Sequence, residues 1–261
     1  MTQSKQPSEL PVGETDRIYQ TDQGDVANFA FDGAVARVFP DMIKRSVPGY
    51  AETVAMSGVI AARYAQPQTN LYDLGCSLGA VTLAMRHGVA AKAALRDCRI
   101  IGIDNSASML ERAAHYVALD ESDFQGNEVA VELICDDICQ HPLDNASLTA
   151  LNFVLQFIAV EQRLALLRRI ADATVAGGAL ILSEKICFDD QEQQLQTELH
   201  HDFKRANGYS DLEIAQKRAA IENVLIPESE SVHIERLKAA GFSKVIRWYQ
   251  CFNFVSFLAV K

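Results

Sequence analysis

The stretch LYDLGCSLGAVTLAMRHG (71–88) decides the fold class of this 261-residue chain. Its first part, LYDLG (71–75), is a short apolar run ending in glycine, which predicts a strand, and CSLGAVTLAMRHG (76–88) predicts the following helix. The unit then repeats, because CRIIGID (98–104) predicts a second strand and SASMLERAAHYVAL (106–119) a second helix. Strands that alternate with helices over short connections are typical of a parallel sheet covered by helices on both faces.

The same alternation continues toward the C-terminus. The further predicted elements are strands at VAVELIC (129–135), LTALNFVLQF (148–157) and ALILSEK (179–185), a helix at EQRLALLRRIADATV (161–175), a turn at Gly177-Gly178, and a hairpin formed by two β-rich runs in SKVIRWYQCFNFVSFLAVK (243–261). We therefore predict an α/β fold with a doubly wound, mainly parallel sheet and a C-terminal antiparallel hairpin.

The segments around this core differ in composition. Residues 1–28 are polar and lack periodicity, which predicts a flexible N-terminal extension, with order expected only where it meets the body, and residues 29–261 are predicted to form one domain. The two prolines of FAFDGAVARVFPDMIKRSVPGY (29–50) predict an irregular cap rather than regular structure. Helices are predicted at 50–66 and 232–242, and the polar stretch at about 189–228 is too long for a connection, so it predicts a helical insertion.

The composition limits the class of partner. With 24 basic and 34 acidic side chains the net charge is −10, which disfavours long-range attraction to nucleic acid or to an anionic membrane. No apolar run approaches the roughly 18 to 20 residues that span a bilayer. The N-terminal residues have no apolar core and the six cysteines form no CxxC pair, so we expect a cytoplasmic protein with reduced thiols and no metal site.

The carboxyl ends of the predicted strands carry the candidate binding residues, because ligands of doubly wound sheets bind there. Gly75, Cys76 and Ser77 form a loop at which the backbone can approach a ligand and the next helix presents free N–H groups. Asp104 ends the second strand, where a carboxylate accepts hydrogen bonds from ribose hydroxyls. At the third strand end Asp137 can accept from an exocyclic amine while Ile138 covers a ring face.

Asn152, on the fourth strand, can bind the polar groups of an amino-acid moiety. Each of these residues also has a plainer explanation, since Asp104 can cap a helix, Asp137 can solvate a loop and Asn152 can satisfy buried backbone. Their succession at the ends of consecutive strands favours a nucleoside site.

A second motif overlaps the glycine loop. Gly75, Ser77 and Gly79 also match the G-x-S-x-G elbow of hydrolases, in which serine is the nucleophile. That reading requires a histidine after a later strand, whereas His200, His201 and His233 lie in predicted helices. The nucleotide loop is therefore the preferred interpretation.

Several strings resemble a known family. DLGCSLG (73–79), IDNS (103–106) and CDDI (135–138) resemble class I S-adenosylmethionine-dependent methyltransferases, whose Rossmann-like sheet has seven strands. More narrowly, the chain is similar from about Phe31 to its end to the carboxy-S-adenosyl-L-methionine synthases. The strings that carry this similarity are FPDMIKRSVPGY (39–50), YDLGCSLGA (72–80), IDNSASM (103–109), LNFVLQF (151–157), GGALILSEK (177–185), HHDFKRANGYS (200–210) and QCFNF (250–254).

The resemblance implies an unusual reaction. Members convert S-adenosylmethionine and prephenate into carboxy-S-adenosylmethionine and phenylpyruvate, and a separate enzyme uses the product to modify the wobble uridine of tRNA. The family's binding positions correspond to Tyr50, Gly75, Cys76, Ser77, Asp104, Asn105, Asp137, Ile138, Asn152 and Arg218. The chain would hold S-adenosylmethionine as a substrate, use no metal, and need no direct contact with nucleic acid or membrane.

The insertion is then expected to act as a substrate lid. Arg218 is the candidate ligand of the new carboxylate, because its guanidinium matches two oxygens, and Tyr209 is the second candidate catalytic residue. Arg45, Lys204 and Arg205 are further candidates for binding prephenate. For Lys204 and Lys217 the plainer interpretation is that both are solvated helix charges.

The adjacent His200 and His201 point about 100° apart on a helix, so we expect them in packing or at an interface rather than at a metal. The aromatic residues of FAFDGAVARVF (29–39) and the insertion predict a homodimer.

Two other functions stay open from the residues alone. One is an S-adenosylmethionine-dependent methyltransferase that acts on a small anionic acceptor, and the other is a nucleotide-binding module without catalysis. A methyltransferase of the first kind is expected to carry an acceptor base or an N/D-P-P-Y motif after the fourth strand. LNFVLQF (151–157) has neither.

Overall fold

The structure is a computed structural model, and it describes residues 14–24, 26–92, 94–95, 97–120 and 128–261. The helices in these residues are α1 (Gly33–Ser46), α2 (Tyr50–Tyr64), α3 (Ala80–Ala90), α4 (Ala107–Leu119), α5 (Val160–Ala173), α6 (Asp190–Ala206), α7 (Asp211–Ile221) and α8 (Glu230–Ala240). The strands are β1 (Asn70–Leu74), β2 (Arg99–Asp104), β3 (Ala130–Cys135), β4 (Ala146–Asn152), β5 (Thr174–Cys187), β6 (Glu228–Ser229), β7 (Lys244–Cys251) and β8 (Phe254–Val260).

The sheet has the order β3-β2-β1-β4-β5-β8-β7, with the two-residue β6 paired beside β5. The first five strands are parallel, and β8 runs antiparallel between β5 and β7. The predicted doubly wound sheet of seven strands and its C-terminal hairpin are confirmed. The strand order reverses between β1 and β4, which is where a sheet of this kind opens a crevice for a ligand.

The core lies on both faces of the central strands, because β1 is buried along its whole length and β4 at every residue except its last. The helices α2 and α3 pack unusually close together on one face. A Cβ atom on Gly88 would lie 2.0 Å from the carbonyl oxygen of Gly58, so only glycine permits this contact.

The predicted irregular cap at residues 29–50 is wrong, because most of it forms α1. Asp32 caps this helix by accepting hydrogen bonds from the backbone N–H groups of Ala34 and Val35. The helix continues through Pro40 because its apolar face, which includes Val38 and Met42, is buried against the body. Tertiary packing thus outweighs the backbone hydrogen bond that proline removes.

The described part of the N-terminal extension is ordered where it meets the body. Residues 1–13 lie outside the described residues, but Asp16 and Tyr19 are buried. The N–H of Asp16 donates to Asp41 at 2.7 Å, and the Gln216 amide donates to the carbonyl of Tyr19 at 3.0 Å. This part of the extension is therefore packed against α1 and α7.

One predicted turn also differs from the structure. Gly177-Gly178, predicted as a turn, lies inside the long strand β5, next to an irregularity in its pairing with β4. The insertion predicted at about 189–228 contains α6 and α7. In the described part of the chain, no helix combines the length and apolarity that crossing a membrane requires.

Candidate active site

A cavity of about 350 Å³ lies beyond the carboxyl ends of the parallel strands. Nine of the ten predicted binding positions line it: Tyr50, Gly75, Cys76, Ser77, Asp104, Asn105, Asp137, Ile138 and Asn152. Eight of these residues lie at or just after the ends of β1, β2, β3 and β4, which is the edge where ligands were expected, and Tyr50 begins α2. Their roles as ligands stay predictions.

The glycine loop is held in one conformation. Gly75 has a φ of +75°, and a Cβ atom there would lie 2.5 Å from a Val154 methyl group, so this position requires glycine. The N–H of Ser77 donates to Asp104 at 2.8 Å, while its hydroxyl faces the Met109 sulfur at 3.5 Å. No histidine approaches that hydroxyl among its described contacts, so the hydrolase interpretation gains no support.

Asp104 is fixed by backbone donors at both carboxylate oxygens. One oxygen accepts from Ser77, and the other accepts from the N–H of Ser106 at 2.9 Å. Burial raises the pKa of Asp104, although these two N–H donors lower it. Each oxygen keeps a lone pair for a ribose hydroxyl, whereas the cap of α4 is Ser106.

Asp73 is a second carboxylate in the cavity wall, and it was not among the predicted ligands. It is buried at the end of β1 and accepts a 2.6 Å hydrogen bond from the Thr82 hydroxyl. Burial raises its pKa to about 7, against the lowering effect of Thr82. This hydrogen bond connects the end of β1 to α3.

The third and fourth strand ends provide an open carboxylate and an unpaired amide. Asp137 is exposed and uses one oxygen to accept from the N–H of Cys139 at 2.9 Å, while Ile138 is buried beside it. Asn152 Oδ1 is buried without a hydrogen-bond partner among the described residues. Such an orphaned acceptor costs free energy unless a ligand donates to it.

An aromatic wall, formed by Tyr50, Phe153, Phe254 and His200, connects the nucleoside end of the cavity to the insertion. The ring centroids of Tyr50 and Phe153 lie 6.3 Å apart, and those of Phe153 and Phe254 lie 5.8 Å apart. His200 follows at 5.0 Å from Phe254, and its Nε2 contacts the carbonyl of Ser46 at 2.8 Å. His200 is thus a packing residue, as expected, and burial lowers its pKa.

The interpretation of Lys204 and Lys217 as solvated charges is wrong. Both side chains are buried, with 9% and 6% exposed, and both line the cavity together with Lys185. Lys204 lies one helical turn after His200 and shares its inward face. Lys217 Nζ donates to Ser46 Oγ at 3.0 Å.

Local sequence explains the register of α7. Ser210 and Glu213 form a capping box, in which the Ser210 N–H donates to Glu213 at 2.8 Å. The helix therefore begins at a fixed residue, and this register directs Lys217 into the protein.

The two predicted catalytic residues do not line the cavity. Tyr209 is buried and donates its hydroxyl hydrogen to Asp16, and the Arg45 guanidinium lies 3.8 Å above its ring. Arg218 is exposed and lines a separate surface depression with His201 and Glu222. Neither side chain therefore lies in the cavity of its own chain. The sequence leaves open whether Arg218 acts in its own subunit or in a neighbouring one, and the catalytic roles of both residues stay predictions.

Two other candidates for binding prephenate have different partners. Arg45 donates to the Asn207 carbonyl at 2.7 Å and to Asp41 at 3.1 Å, so it connects α1 to the insertion. Arg205 is exposed and pairs with Asp202 and Asp211. Neither lines the cavity.

A buried carboxylate positions the segment after β4. Glu184 accepts hydrogen bonds from the N–H groups of Leu155 and Gln156, both at 2.9 Å. Burial raises its pKa to about 8, while these donors and Arg163 lower it. Sequence reasoning missed this residue because it lies inside an apolar strand. In the described residues no cluster of three metal-ligating side chains occurs.

Comparison with known proteins decides the family. The chain is 59% identical over 252 residues to the carboxy-S-adenosyl-L-methionine synthase of Marinobacter nauticus, covering 96% of this chain and 97% of that protein. It is 56% identical to the Trichlorobacter lovleyi protein of the same name, covering 95% and 99%. The chain belongs to the carboxy-S-adenosyl-L-methionine synthase family. The predicted family and synthase function are confirmed, and residues 71–178 also match a methyltransferase domain model.

Solved structures agree with the fold of this synthase. Magnesium protoporphyrin IX methyltransferase from Synechocystis PCC 6803, with bound SAM, has a TM-score of 0.55 and 15% identity, over 85% of this chain and 84% of that one. Human N-acetylserotonin methyltransferase in complex with SAM has a TM-score of 0.57 and 17% identity, over 88% of this chain and 55% of that one. At such identities the likeness concerns the fold alone.

The residues of the synthase cavity fit S-adenosylmethionine. Asn152 has an unpaired acceptor for the amino-acid moiety, Asp104 has free lone pairs for the ribose, and Ile138 offers an apolar face for adenine. Gly75 leaves the backbone open to close approach.

Proposed function

We propose that this synthase takes its carboxyl group from prephenate and places it on the methyl carbon of S-adenosylmethionine. Prephenate loses its ring carboxylate as CO2 and its ring hydroxyl as hydroxide, and the ring becomes aromatic. The hydroxide removes one methyl proton and leaves as water, and the methyl carbon forms a new bond to CO2. The products are carboxy-S-adenosylmethionine, phenylpyruvate and water, so atoms and charge balance.

The protein's part in this reaction is to bind, orient and exclude water. S-adenosylmethionine supplies an acidified C–H bond, because its positive sulfur stabilises negative charge on the adjoining carbon. Asp104 and Asn152 would hold the two ends of this molecule. The aromatic wall would shield its methyl group from solvent.

The observation that carries the proposal is the extent of the cavity. It continues from the glycine loop past Phe153 and Phe254 to the insertion residues Lys204 and Lys217. The nucleoside residues lie at one end only, so the other end is available for a second small molecule. A methyltransferase on a small anionic acceptor is less well supported, because residues 152–157 after β4 contain no acidic or basic side chain.

We assign Arg218 to the active site of a second subunit. The resemblance makes Arg218 a carboxylate ligand, yet here it lies outside the cavity of its own chain. A homodimer reconciles these facts. The exposed Leu195 of α6 and Leu212 of α7, at 55% and 41% exposure, provide apolar surface on the same insertion.

The product would serve a separate enzyme that modifies wobble uridine in tRNA. The net charge of −10 is consistent with a chain that makes a small-molecule donor and does not itself bind tRNA.

The test is incubation of the purified chain with S-adenosylmethionine and prephenate, followed by mass spectrometry of the nucleosides. We expect a nucleoside heavier by one CO2 and equimolar phenylpyruvate. Formation of S-adenosylhomocysteine without a carboxylated product would contradict the proposal and favour the methyltransferase alternative.

A further inference from the structure

The charge of the cavity wall changes sign along the sheet. Asp73, Asp104 and Asp137 lie at the ends of β1, β2 and after β3, on one side of the switch point. Lys185 lies near the end of β5, and Lys204 and Lys217 lie in the insertion that follows it. One end thus suits hydroxyl, amine and sulfonium groups, and the other end suits an anion.

Two of these lysines have no carboxylate partner. Among the described residues, no carboxylate oxygen lies within 4.0 Å of the Nζ atom of Lys185 or Lys204, whereas Lys217 has Asp16 at 3.7 Å. Lys204 has only 9% of its surface exposed. A buried, unpaired ammonium is costly, so an anion that binds beside it would stabilise the protein.

The formal charge at this end matches a dianion. Arg45 and Asp41 form an ion pair at 3.1 Å and cancel each other. When all three lysines are protonated, Asp16 offsets one of them and two positive charges remain. Burial opposes protonation, because it lowers the pKa of Lys204 to about 7 and that of Lys217 to about 8. The nearby Lys185 and Lys217 also lower the pKa of Lys204. A bound dianion would favour the protonated lysines.

The lysines lie beside an apolar surface for a ring. His200 packs on Phe254 at 5.0 Å and lies one turn before Lys204 on α6, and Phe254 and Phe153 continue the aromatic wall. A ligand that has a six-membered ring and two carboxylates, one on the ring and one on a side chain, would use both features of this end.

We propose that Lys185, Lys204 and Lys217 form the binding site for the two carboxylates of the carboxyl donor. This inference rests on the proposed function, and it identifies which side chains of this chain bind prephenate. Lys185 and Lys204 are the primary ligands, and Lys217 is held toward the site by Ser46 and Asp16. Of the earlier candidates for binding prephenate, Lys204 is retained, whereas Arg45 and Arg205 have partners outside the cavity.

The experiment is calorimetric titration of prephenate into the full chain saturated with sinefungin, an unreactive analogue of S-adenosylmethionine. The variants are Lys185→Met, Lys204→Met and Lys204→Arg, with the exposed Lys44→Met as the matched control. We expect the two buried-site Met variants to bind prephenate about tenfold to hundredfold more weakly, because each loses a charged hydrogen bond. Lys204→Arg should retain more affinity than Lys204→Met, and Lys44→Met should bind as the wild type does.

Two controls separate binding from folding. Affinity for sinefungin should be unchanged in every variant, and the melting temperature of ligand-free Lys204→Met should equal or exceed that of the wild type, because an unpaired buried charge is removed. Equal prephenate affinity in all folded variants would overturn the lysine site and leave the proposed function intact. If the wild type itself binds no prephenate, the proposed carboxyl donor is wrong, and so is prephenate as the ligand of these lysines.

Discussion

Lys217 and Arg218 are consecutive residues of α7, and the helix directs the first into the cavity and the second to solvent. Lys217 Nζ lies 3.0 Å from Ser46 Oγ, while Arg218 lines a depression on the outer surface. The two cations therefore serve different cavities if the protein is a dimer. In such a dimer Lys217 would face the site of its own chain, and Arg218 would be available to the site of the neighbour.

This arrangement predicts complementation between two inactive variants. Arg218→Ala should lose carboxylated product, because a carboxylate ligand is missing, but its free energy of unfolding should change by less than about 0.5 kcal/mol since the side chain is exposed. Asp104→Asn should lose S-adenosylmethionine binding. When equal amounts of the two variants are dissociated, mixed and reassociated, about half of the dimers contain one chain of each kind. Each mixed dimer has one intact site, so the mixture should regain about a quarter of wild-type activity. No recovery in mixtures proven to contain mixed dimers would mean that Arg218 acts within its own chain.

The lysine site predicts that prephenate affinity depends on pH. Lys204 faces Lys185 from β5, Lys217 from α7, and His200 and His201 from its own helix. Its pKa of about 7 in the free protein should rise when a dianion binds, so binding takes up a proton.

Affinity should therefore be constant below the pKa of Lys204 and fall by about tenfold per pH unit above it. The fall should steepen above about pH 8, where Lys217 also loses its proton in the free protein. Titrations in buffers of different ionisation enthalpy will measure the proton uptake. The variant Lys204→Arg should not show the decrease in prephenate affinity that begins near pH 7. A wild-type affinity that is constant from neutral to alkaline pH would refute the assignment.

Asp16 should couple the N-terminal segment to the insertion. Asp16→Ala removes the acceptor of the Tyr209 hydroxyl and the carboxylate beside Lys217, so the free energy of unfolding should fall by about 2–4 kcal/mol. Glu14→Ala, at an exposed neighbour, is the control in denaturant unfolding. Equal stability of the two variants would show that the segment does not hold the insertion.

Glu184 should be a positioning residue for the segment after β4. Glu184→Ala leaves the N–H groups of Leu155 and Gln156 without acceptors, which should cost about 2–4 kcal/mol of stability. S-adenosylmethionine affinity should weaken because Asn152 lies at the start of this segment. Glu235→Ala, in an exposed position of α8, should leave both quantities unchanged. A Glu184→Ala protein with wild-type affinity would remove Glu184 from the site.

The strand-end residues were predictable because they depend on a short-range rule. An apolar run fixes where a buried strand lies, and parallel strands bring their carboxyl ends to one edge, so Asp104, Asp137 and Asn152 meet without knowledge of any helix packing. The same rule applied to the fifth strand would have found Lys185, which lies near the end of β5.

The insertion was less predictable because burial of a polar helix depends on what covers it. His200 and Lys204 share a face of α6, but nothing in the local pattern shows that this face packs toward Ser46 and Phe254. The register of α7 likewise decides between Lys217 and Arg218. The proline at position 40 indicated irregular structure, but α1 continues through it because the apolar face of the helix is buried.

The most direct test of the proposed reaction follows the origin of the new carboxyl group. Prephenate labelled with heavy carbon in its ring carboxylate is incubated with the wild-type chain and S-adenosylmethionine, and the product is analysed by mass spectrometry. We predict that the carboxylated nucleoside carries the label and that phenylpyruvate does not. An unlabelled carboxylated nucleoside, or S-adenosylhomocysteine as the nucleoside product, would contradict transfer from prephenate.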